Sequence, residues 1–247
     1  MNPDADGDNL GGQWFRDVNS KRVRFLVDGS GSMSACMAWS YKNNKELEMG
    51  DTERTYYTPK DDPLYKAGKN YRETKAICHE TRMERLQSEL TELIQRLPPD
   101  TKISLEAFST SQGVNNKIWD RSANGLVNIK DNRNSALTFI DSLDDESPRE
   151  WGGTDPWDGL QRSFNDNEAD TLYFLSDGLP TKRLSIGGNN DIDASYENSY
   201  ITAAPYFASK NDSRDKKLKV NTTSIKLQSN WMEALSEQTS GNYLQSQ

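Results

Sequence analysis

The stretch VRFLVDGSGSMS, residues 23–34, decides how this chain is read. Its first half is apolar and β-branched, as expected of a short buried strand, and the run ends abruptly at Asp28. Beyond that point Asp28, Ser30 and Ser32 set an oxygen-bearing side chain at every second position, with Gly29 and Gly31 between them. In a tight loop the glycines relieve crowding, so alternate side chains can point to one centre. Hydroxyls and carboxylates together suit a hard cation: carboxylates neutralise its charge, hydroxyls add ligands without charge, and Mg²⁺ favours octahedral oxygen coordination.

Working outward, RMERLQSELTELIQRL (residues 82–97) spaces Leu86, Leu90, Leu93, Ile94 and Leu97 three and four apart, which predicts an amphipathic helix stopped by Pro98 and Pro99. KISLEAF (102–108) alternates apolar and polar residues as a strand does, and residues 117–120 read as a short edge strand. Helices are expected over 134–143 and 156–164, with Pro156 suited to a first helical turn. TLYFL (171–175) is a second buried-type strand, broken by Ser176, Asp177, Gly178 and Pro180. Residues 194–210 are weakly helical, 218–225 form a strand, 231–238 a helix closed by Gly241, and 242–244 a last strand. Alternating strands and helices predict an α/β fold: a Rossmann-like three-layer sandwich, mainly parallel, with helices on both faces and one short antiparallel edge strand. Ligands bind such sheets at the carboxyl ends of the strands, and Asp28 and Asp177 each follow directly on an apolar strand.

Three motifs in order, Asp28-Gly-Ser30-Gly-Ser32, Gly152-Gly153-Thr154-Asp155 and Leu175-Ser176-Asp177-Gly178, resemble the metal-ion-dependent adhesion site of von Willebrand factor type A domains, integrin inserted domains among them. VNTTSIKL and LSEQTSGNY near the end are similar to that family's last main strand and closing helix. The resemblance covers roughly residues 22–247. It implies that Ser30 and Ser32 bind a metal directly, and that Asp28, Thr154 and Asp177 do so directly or through water. The implied ion is Mg²⁺, or Mn²⁺ or Ca²⁺, and the implied ligand is a carboxylate supplied by a partner. Read one at a time, the motifs have plainer uses, since Asp, Ser and Thr also cap helices.

The composition narrows the partners. Formal net charge is −8 with no sustained block of Lys and Arg, so the electrostatic attraction that drives nucleic-acid binding is missing. No apolar run approaches the ~20 residues of a membrane-spanning helix, and the first residues lack the basic and apolar regions of a secretory signal. Residues 1–19, rich in Gly, Asp and Asn, read as a linker or loosely docked arm, and residues 20–247 as the domain proper, a monomeric part of a larger protein. Asp4, Asp6 and Asp8 alternate as in some calcium loops but lack the distal Glu of an EF-hand.

The chain departs from the family between the first motif and the first helix, where an insertion over about 35–76 emerges beside the expected metal. Its aromatics, Trp39, Tyr41, Tyr56 and Tyr57 among them, are candidates for a ligand-binding surface, as are Trp151, Asp155 and Trp157 around the second motif. Packing of the aromatics onto the domain itself is the alternative. Cys36 and Cys78 stand near the ends of the insertion. Either a disulfide closes its base, worth about 4 kcal/mol by chain entropy at most, or two buried thiols stay reduced. A bonded pair points to an extracellular or cell-surface setting, reduced thiols to the cytoplasm. Residues around 183–195, with Gly187, Gly188, Asn189 and Asn190, read as a mobile loop bordering the same edge.

The expected function is therefore a binding module, adhesive and part of a surface protein, that captures an acidic group of a protein or surface ligand. An intracellular scaffold for a ring-shaped ATPase of the MoxR or chelatase type is the rival reading. Catalysis is not expected, because the one histidine, His79, lies away from the strand-end motifs and no base is positioned there.

Overall fold

Val23, Phe25 and Val27 pack into one apolar core and Leu26 into another, because successive side chains of a strand point to opposite faces. The computed structural model describes residues 13–15, 18–41, 76–143, 148–184 and 202–246. Its elements are β1 (Arg22–Asp28), β2 (Cys36–Tyr41), β3 (Ala76–Thr81), α1 (Arg82–Arg96), β4 (Lys102–Phe108), β5 (Lys117–Ile118), β6 (Val127–Asn128), α2 (Ile129–Asp141), α3 (Trp157–Asn165), β7 (Thr171–Ser176), α4 (Ala203–Asp212), β8 (Lys219–Ile225), α5 (Asn230–Gln238) and β9 (Tyr243–Ser246). Among the described residues the strands form a 7-stranded sheet in the order β5-β4-β1-β7-β8-β9, with β6 also on β4. Pairings from β4 through β9 along this path are parallel, while β5 and β6 both run antiparallel to β4. The mainly parallel three-layer sandwich expected from the sequence is thus present, with two short antiparallel strands at the edge where one was expected.

One face of the sheet, with Ile103, Leu105, Tyr173 and Leu175, is covered by α1 and α2. The other, with Leu172, Phe174 and Val220, is covered by α3, α4 and α5. Helix α1 buries Met83, Leu86, Leu90, Leu93 and Ile94, the stripe its spacing predicts. Its start is set by a capping box, in which Glu84 N–H donates to Thr81 Oγ1 (3.1 Å) and Thr81 N–H donates to Glu84 Oε2 (2.7 Å). Helix α2 begins at Ile129, earlier than expected, because the Asn128 side chain caps it by accepting from Lys130 N–H at 2.8 Å.

Of the two readings of residues 1–19, linker or loosely docked arm, the described part of the segment fits a docked arm. Trp14, Phe15 and Val18 are buried, and Phe15 packs edge-on against Phe25 with ring centroids 5.7 Å apart. Trp14 N–H donates to Glu89 Oε2 and its carbonyl accepts from Thr223 Oγ1, so this segment closes the face covered by α1. Residues 1–12, with Asp4, Asp6 and Asp8, lie outside the described residues.

The insertion starts as a two-stranded ribbon. β2 and β3 pair antiparallel, with Cys36 opposite Thr81 and Trp39 opposite Cys78, and the register shifts between Cys36 and Ala38 and between Ala38 and Trp39. Arg82 N–H donates to the Ala35 carbonyl at 2.8 Å, so α1 resumes where the first loop left off and the ribbon leaves and re-enters at one point. The side chains of Trp39, Tyr41 and Cys78, and all of Tyr56 and Tyr57, lie outside the described residues, as do 185–201 of the second polar loop.

Candidate functional site

β1 and β7 are adjacent parallel strands, so the residues at their carboxyl ends meet at the switch point where successive strands are laid down on opposite sides of β1. Asp28, fully buried at the end of β1, accepts from Ser30 N–H through Oδ1 (2.8 Å) and from Ser176 Oγ through Oδ2 (2.6 Å). A 3-10 turn over Gly31–Ser34 follows and holds Ser32 beside Ser30, with their hydroxyls 3.1 Å apart. Thr154 Oγ1 donates to Ser30 Oγ at 3.1 Å, and Ser32 Oγ donates to Asp177 Oδ1 at 2.6 Å. Asp28, Ser30, Ser32, Thr154 and Asp177, chosen from sequence, therefore converge: Thr154, Ser30, Ser32 and Asp177 form one chain of oxygen contacts, and Asp28 is tied to it through Ser30 N–H.

Backbone bonds fix the three loops to one another. Gly31 N–H donates to the Gly152 carbonyl, Thr110 N–H to the Gly153 carbonyl, and Thr181 N–H to the Thr154 carbonyl. Gly152 has φ +79°, a left-handed conformation that glycine adopts without strain. At Gly29 a Cβ would sit 2.6 Å from Asn115 Cβ and 2.8 Å from its carbonyl oxygen, so the first loop can lie against the 115 segment only as glycine.

Two carboxylates in a buried site raise an electrostatic cost. Burial, followed by the negative charge of Asp177, pushes Asp28 up from 3.8 to about 7, against the opposing hydrogen bonds from Ser176 and Ser30. Asp177 has a cationic partner: Arg82 Nη1 donates to Asp177 Oδ2 at 2.7 Å, and both side chains are buried. Arg82 takes Oδ2 and leaves Oδ1 to accept from Ser32. The sequence offered no local signal for Arg82, which is 95 positions from Asp177. A cue for Ser176 was present, because a hydroxyl one residue before Asp177 on a strand end lies opposite the end of β1.

The donor set is all oxygen, three hydroxyls and the Asp177 carboxylate linked by hydrogen bonds with the Asp28 carboxylate held beside them by Ser30 N–H, which fits a hard divalent cation and not a soft one. Among the described residues no three His, Cys, Asp or Glu side chains gather into a metal centre, so any ion here depends on the Ser and Thr hydroxyls. His79 is exposed on β3, outside this cluster.

The candidate contact residues of the second motif are corrected in part. Trp151 and Trp157 are core residues, at 0% and 4% exposure, and present no surface to a ligand. Trp157 stacks on Phe207, tilts against Trp231 and donates from Nε1 to the Lys182 carbonyl at 2.8 Å. Trp157, at the first position of α3, is packed among Phe164, Phe174, Phe207 and Trp231 of the core on that face of the sheet. Asp155 is half-buried, and burial raises its carboxyl above the usual carboxylate range. It lines a cavity with Asp158, Gly159 and Arg162 on the β4 side of the site.

No protein-family model and no curated protein matches the sequence. Among solved structures the chain is similar to the von Willebrand factor type A protein from Catenulispora acidiphila, with 11% identity and a TM-score of 0.54 over 92% of this chain and 39% of that one. It thus spans 39% of the length of that structure. It is also similar to the SpRpn10 VWA domain, with 10% identity and a TM-score of 0.45 over 91% of this chain and 86% of that chain. The first likeness shows a fold of the von Willebrand factor type A kind, in agreement with the strand order.

Proposed function

We propose that this protein is a metal-dependent binding module in which Asp28, Ser30, Ser32, Thr154 and Asp177 hold a divalent cation that captures a carboxylate of a protein or surface ligand. Mg²⁺ is the ion best matched to the oxygen set, with Mn²⁺ or Ca²⁺ as substitutes. The observation that carries this reading is the convergence of three hydroxyls and two carboxylates from three loops onto one strand-end cluster. The bound ion would supply a Lewis-acidic anchor for an anionic oxygen.

The residues of the chain divide the remaining work. Asp28 is held by Ser176 and by the backbone of its own loop, so its carboxylate is oriented before any ion arrives. Arg82 offsets the charge of Asp177. Two carboxylates and one guanidinium leave one negative charge, so a divalent ion would retain an uncompensated positive charge for an acidic ligand. That short-range attraction matters because the net charge of −8 does not steer anions toward the molecule. Among the described residues no helix is long and apolar enough to cross a membrane.

An adhesive role at a cell surface, and a disulfide between Cys36 and Cys78, belong to the same reading. Its support is that the two cysteines lie on the paired strands of the ribbon that leaves the domain beside the site. A thiol count on denatured, non-reduced protein tests it: no free thiol fits the surface setting, and two free thiols favour the intracellular scaffold.

The test of the cation is calorimetric titration of Mg²⁺ and Mn²⁺ into the wild type and into Ser30→Ala/Ser32→Ala. One saturable site is expected in the wild type, weakened by at least about 100-fold in the double variant, since ligand loss exceeds the 10–100-fold cost of losing a supporting partner. Each hydroxyl removed also takes a hydrogen bond worth ~1 kcal/mol, so the variant stays folded. Equal binding by both proteins would remove the two serines from the ligand set.

A further inference from the structure

Beside the cage, on the β8 side, is a cavity of about 200 Å³ whose wall includes Asp177 and Gly178. Its other lining is largely aliphatic, from Leu179, Leu227 and Met232. Among the described residues three large apolar side chains are exposed, Ile118, Leu179 and Leu227, and the last two border this cavity at 40% and 38% exposure. Two exposed leucines bordering one opening make a local apolar patch of the kind that marks an interaction site.

A second feature points to an occupant. Ser229 is the N-cap of α5, yet its hydroxyl makes no capping bond and is buried without a hydrogen-bond partner, and Ser229 is one of the residues that line this cavity. An N-cap serine ordinarily accepts from the first turn of its helix. The backbone here is pinned instead by Tyr243, whose hydroxyl accepts from Ser229 N–H at 2.8 Å and lies 2.7 Å from Ser224 Oγ. A buried hydroxyl without a partner is destabilising by itself, and a ligand's polar atom would satisfy it.

We propose that this cavity is a second subsite of the ligand, taking an aliphatic side chain of leucine size that neighbours the captured acid in the partner's sequence, with Ser229 Oγ bonding the partner's backbone. The inference rests on the cation reading above. Continuity is its main support: Asp177 belongs both to the cage and to the cavity wall, so one short segment reaches both. In an extended segment, residues two apart point to the same face, which sets acid and aliphatic side chains at that spacing.

The experiment uses four blocked peptides, carrying Asp or Asn and, two positions on, Leu or Ala, with binding followed by fluorescence anisotropy in Mg²⁺ and in chelator. Leu over Ala is expected to tighten binding about ten-fold, the scale of burying part of a leucine side chain, and only the Asp peptides should need Mg²⁺. Leu179→Ser and Leu227→Ser should each reduce that ten-fold preference to about two-fold while leaving Mg²⁺ titration unchanged; both positions are exposed, and Leu179→Ala and Leu227→Ala serve if either variant folds poorly. Equal binding of Leu and Ala peptides with Mg²⁺ and Asp still required would overturn the subsite and leave the cation reading standing. A retained Leu preference with no Mg²⁺ or Asp requirement would do the reverse. Absence of binding by all four would overturn both.

Discussion

Arg82→Ala will destabilise the cation-free domain by about 3–5 kcal/mol, the cost of stranding one partner of a buried ion pair, and Mg²⁺ will restore much of the loss. Arg82 and Asp177 are both buried, 2.7 Å apart, and Asp28 lies close enough to Asp177 for their charges to interact. Removing the guanidinium leaves two carboxylates in a water-poor pocket with no cation. A divalent ion bound there would supply the missing charge and stabilise the folded state by mass action. Urea unfolding in chelator and in Mg²⁺ reads both effects, and the gain on adding Mg²⁺ should be larger for the variant than for the wild type. Arg82→Lys should fall between, since it keeps the charge but not the planar fork. A variant as stable as the wild type in chelator would show that the pair contributes little.

Trp157→Ala should cost about 3–5 kcal/mol and lower the thermal midpoint by about 10 °C. Its ring centroid lies 6.4 Å from that of Phe207 and 5.6 Å from that of Trp231, so the deletion opens a hole between α3, α4 and α5. Trp157→Phe retains part of the aromatic packing and loses the bond to the Lys182 carbonyl, so its cost should be about 1–2 kcal/mol. These values separate a core residue from a contact residue. A tryptophan that met the ligand would lose binding on substitution with the melting temperature unchanged, and that result would contradict the packing described above.

The parts of the fold that were readable in sequence are those whose signal is local and periodic. The stripe of Leu86, Leu90, Leu93 and Ile94 reports one helix face, and the apolar run before Asp28 reports one strand. Asp28, Ser30 and Ser32 were readable because loop ligands two apart in sequence need no knowledge of the fold, and Asp177 because it follows a strand, whereas Thr154 entered only through the resemblance. Long-range features were hidden. Arg82 looks like any polar residue opening a helix until β7 brings Asp177 to it. Trp14 and Phe15 sit in a Gly- and Asp-rich segment whose composition suggests solvent, but the face they cover requires two large aromatics. The β2–β3 ribbon escaped because two register shifts within four residues of Cys36 disturb the alternation that marks a strand. Trp151 and Trp157 were misjudged in part for the same reason as Arg82: the residues that bury Trp157, Phe207 and Trp231, come from α4 and α5.

The most direct test of the central claim is an anomalous difference map from a crystal of the wild-type protein soaked in Mn²⁺. One strong peak is expected among the Ser30, Ser32, Thr154 and Asp28 or Asp177 oxygens, abolished in Ser30→Ala/Ser32→Ala. A map with no peak there, or with the manganese held by other residues, would contradict it.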